Sequence, residues 1–190
     1  MKIQIIIGSV RSGRIGDQIA NWVEQQLRSR GEHQFEIVDL TEWSLPLDDE
    51  PGIPAYGEYL QPHTLAWSEK IASGDAFVFI VPQYNWGYPA SLKNALDHLY
   101  TEWGNKPALI VSYANRGGGK AASQLMQVLQ GLHMQNCNHN VEIALSELTL
   151  DETRRLVDPT NSLNVFQPSM QRGIDNLYSL LTPQPQDNPL

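Results

Sequence analysis

The sequence predicts a doubly wound α/β fold, in which helices cover both faces of a five-stranded parallel sheet. Short β-branched or aromatic runs alternate along the chain with longer segments of helical periodicity, which is typical of such a sheet. With 190 residues, 41% of them hydrophobic and 18% charged, the chain has enough apolar side chains for one core. We therefore expect a single domain over residues 1–182 and a disordered polar tail over residues 183–190.

Each predicted element follows from its residue pattern. The five predicted strands are rich in β-branched and aromatic residues and occupy residues 3–7, 35–40, 76–82, 108–111 and 141–145. The predicted helices repeat apolar residues every three or four positions and occupy residues 15–27, 64–73, 89–99, 117–132, 150–157 and 167–181, the fourth of them opened by the glycine triplet at residues 117–119. Residues 44–62 contain several prolines and glycines around Asp48, Asp49 and Glu50, so we interpret them as an ordered excursion between elements.

The charge balance limits the kinds of partner. A net charge of −8 opposes nonspecific attraction to nucleic acid or to anionic lipid, so neither is expected as a partner. Several basic residues nevertheless fall in two glycine-bearing stretches, namely Arg11, Arg14, Arg116 and Lys120. Cationic loops on an acidic body predict a small anionic ligand.

The N-terminal apolar run and the cysteine content indicate the compartment. The run at residues 3–7 is too short for the core of a signal peptide or for a membrane span. The single cysteine, Cys137, cannot form an intramolecular disulfide and is interpreted as a small buried side chain. We expect a cytoplasmic protein that is not bound to a membrane.

The first predicted loop reads GSVRSGRIG at residues 8–16 and joins the first strand to the first helix. The dinucleotide fingerprint G-x-G-x-x-G fails here because Val10 stands where its second glycine is needed. The P-loop pattern G-x-x-x-x-G-K-[ST] also fails, because Arg14 and Ile15 replace its lysine and its metal-binding hydroxyl. The loop therefore belongs to neither class of nucleotide site.

The same loop suits a single terminal phosphate. Ser9 and Ser12 offer neutral donors, and the helix N-terminus that follows offers a favourable dipole. Arg11 and Arg14 add charge-assisted donors. The alternative is an ordinary strand-to-helix turn, in which the glycines relax the backbone and the arginines are solvated.

The second loop follows the third predicted strand within PQYNWGYPASLKNALDHLY at residues 82–100. Tyr84, Trp86 and Tyr88 place aromatic faces beside the amides of Gln83 and Asn85, a combination that suits a flat heteroaromatic ring. The alternative is a proline-bounded loop whose aromatic residues belong to the core.

The third loop, within SYANRGGGKAASQL at residues 112–125, carries a glycine triplet at residues 117–119. Glycines allow the backbone to approach a ligand closely or to present free N–H groups at a helix start. A flexible turn explains the triplet equally well.

The segments GSVRSGRIGDQIANWV and PQYNWGYPASLKNALDHLY resemble the two signatures of the NADPH-dependent FMN reductase family, which includes azoreductases, quinone reductases and chromate reductases. The likeness covers roughly residues 3–145. It implies a flavodoxin-like fold, bound FMN, and a homodimer or homotetramer whose active site borders a neighbouring subunit. Carried over by position, it implies a cofactor site made of Ser9, Arg11, Arg14, Ile15, Gly16, Pro82, Gln83, Tyr84, Asn85, Ser112, Gly117 and Gly118.

The resemblance also implies an activity. The protein would use NADPH or NADH to reduce small acceptors such as quinones, azo compounds, free flavin or metal oxyanions. The flavin N5 would carry the chemistry, so no catalytic side chain is expected, and donor and acceptor would use one place in turn, by a ping-pong mechanism. A flavodoxin-type electron carrier and a flavin-based redox sensor remain as alternatives.

No metal site is predicted. His133, Cys137 and His139 straddle a predicted helix end and strand start and lack a fourth ligand at a standard spacing. The acidic cluster at residues 48–50 is interpreted as a solvated face.

Overall fold

The structure is a computed structural model that describes residues 1–47 and 49–182. Strands and helices alternate for most of its length. In chain order they are β1 Lys2–Ile7, α1 Gly16–Arg28, β2 Gln34–Asp39, α2 Pro62–Ala72, β3 Ala76–Pro82, α3 Ala90–Asp97, β4 Pro107–Ala114, α4 Gly119–Gly131, β5 Gln135–Asn136, β6 Val141–Ala144, α5 Pro159–Ser162 and α6 Gln167–Leu181.

The strands form one parallel sheet in the order β2-β1-β3-β4, and β5 and β6 both pair with β4. Two short segments thus share the fifth position: β5 pairs with residues 107–108 and β6 with residues 111–114. The connections after β1 and β3 lead to opposite edges of the sheet. The loops after these two strands therefore flank a topological switch point, where open α/β sheets bind their ligands.

Helices cover both faces of the sheet, which confirms the predicted fold class. Side chains of α1 and α6, such as Trp22 and Ile174, pack on one face. Those of α2, α3 and α4, such as Trp67, Leu96 and Leu125, pack on the other. Every residue of β3 is buried, which explains why the sequence of this strand is apolar without alternation.

One element differs from its prediction. Residues 150–157, predicted as a short helix, instead form a tight turn in which Leu150 and Leu156 make an antiparallel bridge. The Asp151 carboxylate accepts hydrogen bonds from the backbone N–H groups of Thr153 and Arg155, and Arg154 has a positive φ of 64°. These local hydrogen bonds replace those a helix would need.

Two further expectations concern regions outside the described residues. These are the polar tail at residues 183–190 and Asp48 of the acidic cluster. The single domain over residues 1–182 stays a prediction. Within residues 1–47 and 49–182, the helices are too short or too polar to cross a membrane.

Candidate active site

The three loops singled out in the sequence follow β1, β3 and β4 at the carboxyl edge of the sheet. Two hydrogen bonds at Gly8 hold the start of the first loop in place. The N–H of Gly8 donates to the carbonyl of Ile80, and the Ser91 hydroxyl donates to the carbonyl of Gly8 at 2.6 Å. The first loop is thereby anchored to both β3 and α3.

The end of the first loop leaves donors free at the start of α1. Ile15 precedes the helix and is buried, and α1 has no side-chain hydrogen bond capping its N-terminus. The N–H groups of the first turn, beginning at Gly16, have no backbone acceptor within the helix, and those of Asp17 and Gln18 contribute hydrogen bonds to the Asp17 carboxylate. Such a terminus favours an anion, because the helix dipole is positive at this end.

Gly16 allows close packing beneath this loop. A Cβ at this position would lie 3.0 Å from the hydroxyl of Tyr113 and 3.1 Å from Cγ2 of Ile7. The absence of a side chain thus lets the phenol from the end of β4 reach the first loop. Burial, and to a lesser extent neighbouring charges, raise the pKa of Tyr113, so its hydroxyl stays protonated and able to donate.

Tyr84 connects the second loop to the first. Its hydroxyl lies 2.7 Å from Oγ of Ser9, which is fully buried. The guanidinium of Arg11 lies over the Tyr84 ring, with Cζ at 4.3 Å from the ring centroid. Arg11 itself is exposed, so its donors remain available at the mouth of the loop.

Arg14 is directed elsewhere. Its guanidinium forms an ion pair with Asp39 at the end of β2, and its Nη2 lies 3.4 Å from Oγ1 of Thr41. Nε of Arg14 is buried and has no hydrogen-bond partner among the residues that the structure describes. The side chain of Arg14 thus braces β2, while its backbone remains part of the loop.

The second loop is a two-residue hairpin turn. Tyr84 and Gly87 exchange both backbone hydrogen bonds, at 2.8 and 2.9 Å. Asn85 and Trp86 at the tip have φ values of 48° and 71°, a pair of left-handed conformations that matches a type I′ turn. Trp86 is 65% exposed, and the Lys120 Nζ lies 2.9 Å from its ring centroid.

Gln83 joins the second loop to the third. Its backbone N–H donates to the carbonyl of Tyr113, and its side-chain Oε1 accepts from the N–H groups of Lys120 and Ala121 at 3.2 and 3.3 Å. The amide therefore caps the start of α4. Pro82, the last residue of β3, is buried beside it.

The third loop is held from below. Oγ of Ser112 donates to the carbonyl of Gly117 at 3.0 Å, so this hydroxyl supports the loop rather than facing its open side. Gly118 has a φ of 88°, and a Cβ there would lie 3.1 Å from both Cβ of Ser112 and the backbone N of Tyr113. Only glycine satisfies both the conformation and the space.

The predicted site residues thus fall into two groups. One group lies on the three loops, where contacts join the first loop to the second and the second to the third: Ser9, Arg11, Gly16, Gln83, Tyr84, Asn85, Gly117 and Gly118. The other group supports the loops from within or from the side: Arg14, Ile15, Pro82 and Ser112.

Residues that the sequence did not single out also reach the first loop. Nη1 of Arg155 donates to the carbonyl of Arg14 at 2.8 Å, and its guanidinium makes a two-pronged contact with the Asp17 carboxylate. Gln18 exchanges two hydrogen bonds with the backbone of Leu156. No spacing signal could reveal these contacts, because they join positions 138 or more residues apart.

The candidates for a metal site lie outside the three loops. Cys137 is buried, and burial raises its pKa to about 12. His139 contacts Oγ of Ser169 at 2.9 Å. Within the described residues, Asp49, His63 and His98 bring ligand atoms within 4.8 Å of one another, but both ring nitrogens of His98 already have hydrogen-bond partners, Thr64 and the Pro46 carbonyl.

Solved structures define the class of fold. FerB from Paracoccus denitrificans, a flavoenzyme NAD(P)H:(acceptor) oxidoreductase, matches with a TM-score of 0.69 at 18% identity, over 94% of this chain and 97% of that one. An archaeal flavodoxin matches with a TM-score of 0.58 at 12% identity, over 96% of this chain and 100% of that one. The protein has a flavodoxin-like fold.

The chain belongs to the family described as NADPH-dependent FMN reductase, whose profile matches residues 1–146. It is 44% identical over 193 residues to a Schizosaccharomyces pombe protein named NAD(P)H-dependent FMN reductase, covering 99% of this chain and 94% of that protein. A Saccharomyces cerevisiae protein of the same name is 46% identical over 145 residues, or 70% of this chain and 76% of that protein. The predicted family is confirmed, and the protein is an FMN-dependent NAD(P)H oxidoreductase.

Proposed function

We propose that FMN binds across the three loops and that the protein uses it to pass electrons from NADPH or NADH to a quinone. The observation that carries this proposal is the contact between Ser9 and Tyr84, with Arg11 over the same ring, beside the uncapped start of α1. It brings hydroxyl, cationic and backbone donors for a phosphate next to the loop that would hold the flavin ring.

The phosphate subsite has donors that suit a dianion. The exposed guanidinium of Arg11 and the N–H group of Gly16 at the start of α1 supply charge-assisted and dipolar stabilisation. Ser12 is exposed on the same loop and adds a hydroxyl. Because Arg14 is paired with Asp39, we assign its contribution to the backbone rather than to the guanidinium.

The ring subsite lies between the second and third loops. The hairpin at residues 84–87 and the glycines at 117 and 118 offer backbone groups at close approach, and Gln83 fixes one loop to the other. When bound, FMN supplies the chemistry by accepting a hydride from the nicotinamide and passing its electrons to the acceptor. The protein orients the ring and shields it from water.

A quinone is the acceptor that the relatives favour. Quinone reductase of Escherichia coli is 29% identical over 138 residues, which cover 67% of this chain and 70% of that protein. A 2-hydroxy-1,4-benzoquinone reductase from Burkholderia is also 29% identical, over 129 residues. Azo compounds, free flavin and metal oxyanions are further acceptors of the proposed activity.

The experiment is steady-state NAD(P)H oxidation by the FMN-loaded protein at several quinone concentrations. One flavin site flanked by Tyr84 and Trp86 leaves a single face for donor and acceptor, so we expect a ping-pong reaction and parallel double-reciprocal plots. Intersecting plots would contradict the shared face. The absence of turnover, with electrons passed only to a partner protein, would instead indicate an electron carrier.

We further propose a homodimer in the cytoplasm. A groove of about 730 Å³ lies between the excursion after β2 and α3, and apolar side chains including Leu47 and Ile53 line it. Both are highly exposed, at 83% and 61%. Lys93 and Asp97, an ion pair on α3, also line this groove, so its apolar wall has a polar rim, as protein–protein interfaces commonly have.

A further inference from the structure

The segment at residues 149–157 presents one arginine to the start of α1. The N–H of Asp151 donates to the carbonyl of Arg155 at 2.8 Å, and the N–H of Val157 donates to the carbonyl of Thr149 at 3.1 Å, which closes a tight turn. The Asp151 carboxylate fastens the turn internally through the N–H groups of Thr153 and Arg155. The turn lies beyond the part of the chain that the family profile matches.

Gln18 docks this turn on α1. Its Oε1 accepts from the N–H of Leu156 at 2.9 Å, and its Nε2 donates to the carbonyl of the same residue at 3.1 Å. Leu156 is buried in the core beside α1. The neighbouring Arg155 is consequently held at a fixed distance from the first loop.

Arg155 contacts two groups that border the proposed phosphate subsite. Its Nη1 and Nη2 donate to the two carboxylate oxygens of Asp17 at 2.8 and 2.7 Å, and Nη1 also donates to the carbonyl of Arg14 at 2.8 Å. The first contact is the two-pronged arginine–carboxylate arrangement, the stronger form of such a pair. The second fixes the backbone just before α1.

The charge of Asp17 gives the ion pair with Arg155 its importance for an anion site at the start of α1. Asp17 is the second residue of α1, so its carboxylate lies at the same helix terminus that the phosphate would use. Burial opposes its ionisation, but hydrogen bonds and charge from Arg155 outweigh this and lower the pKa of Asp17. The carboxylate is therefore ionised at neutral pH, and a negative charge at the helix terminus that we propose for the phosphate repels that group unless a cation offsets it.

We propose that Arg155 is a positioning residue for the FMN phosphate, acting by offsetting the charge of Asp17 and by holding the Arg14 carbonyl. This inference rests on the proposed function, because it assumes that the phosphate binds at the first loop. Arg155 does not touch the cofactor in this account. The effect of Arg155 on ligand affinity should therefore depend on the phosphate of the ligand and on the charge of Asp17. A merely structural role would depend on neither.

The experiment measures FMN and riboflavin dissociation constants by fluorescence titration for the wild type, Arg155→Ala and Arg154→Ala. We expect Arg155→Ala to weaken FMN binding about tenfold and to leave riboflavin binding within about twofold, because riboflavin lacks the phosphate. Arg154 is the matched control, since it is the adjacent exposed arginine and makes none of these contacts with α1. Its variant should bind FMN within about twofold of the wild type.

Substitution of Asp17 separates charge from packing. We expect Asp17→Asn in the Arg155→Ala background to restore FMN affinity to within about threefold of the wild type, and Arg155→Lys to retain part of it. If Arg155→Ala fails to fold, the two single variants Arg155→Lys and Asp17→Asn provide the test. The single variant Asp17→Asn should then bind FMN at least as tightly as the wild type. Equal weakening of FMN and riboflavin, or no rescue by Asp17→Asn, would overturn the inference. A wild-type protein that does not bind FMN would overturn the proposed function itself.

Discussion

Tyr84 shows how one side chain joins parts of the site that are distant in sequence. Its hydroxyl meets Ser9, which lies 75 positions away, and its ring supports Arg11. The sequence predicted both loops from their positions after strands, because parallel strands end at a common edge. It could not predict that Arg14 pairs with Asp39, since that contact depends on how β2 packs beside β1.

Arg11 gives the residue-scale prediction. We expect Arg11→Ala to weaken FMN binding by about 1.5–3 kcal/mol, because a charge-assisted contact to the phosphate is lost. Isothermal titration with FMN and with riboflavin measures this, and riboflavin binding should barely change. Arg172→Ala, which removes an exposed arginine from α6, outside the three loops, is the control. Unchanged FMN affinity in the Arg11 variant would count against the phosphate subsite.

Strands were the easiest elements to predict and the turn at residues 150–157 the hardest. The strands β3 and β4 are buried on both faces, so their sequences are continuous apolar runs that a pattern can recognise. Leu150 and Val157, seven positions apart, fit a helical spacing, but the hydrogen bonds of Asp151 decide the conformation locally. The two-residue strand β5 is too short to leave a pattern.

Glu36 on β2 gives the element-scale prediction. Burial opposes its charge, but hydrogen bonds from Lys2, Lys70 and Gln4 lower its pKa from 4.5 to about 2. A depressed pKa stabilises the fold above about pH 4.5, and this contribution is lost as the pH falls toward 2. We therefore expect Glu36→Gln to lower the free energy of unfolding by about 1–2 kcal/mol at pH 7, allowing for solvent screening.

Urea unfolding at several pH values measures the difference in the free energy of unfolding between the wild type and Glu36→Gln. This difference should shrink steadily as the pH falls from about 4.5 toward 2. Glu24→Gln is the control, because Glu24 pairs only with the half-exposed Arg28 in the described ion pairs. It should change stability by less than about 0.5 kcal/mol. A difference for Glu36→Gln that stays constant with pH would show that its charge is not the cause.

At the scale of the whole molecule, the proposed cofactor site and the proposed dimer interface use different features of the surface. The three loops carry the groups that we propose to bind FMN, whereas the groove beside α3 is lined by exposed apolar side chains from the excursion at residues 44–62. The sequence predicted the excursion from its prolines and glycines. It did not predict the groove, because the groove exists only where this segment lies against α3.

Ile53 gives the prediction for assembly. We expect the wild type to sediment as a dimer and Ile53→Glu to sediment mainly as a monomer, because a charge on the groove wall would be buried at the interface. Val165→Glu is the matched control, since Val165 is 59% exposed and lies outside the groove. A monomeric wild type, or equal behaviour of both variants, would contradict the proposed interface.

Anaerobic titration of the FMN-loaded protein, followed by its visible spectrum, tests the central claim that bound FMN relays electrons from a nicotinamide to a small acceptor. Addition of NADPH or NADH should bleach the flavin absorbance without any acceptor present. After removal of the oxidised nicotinamide, a quinone added alone should restore that absorbance in proportion to the amount added. A spectrum that neither nucleotide bleaches, or a reduced protein that the quinone cannot reoxidise, would contradict the account.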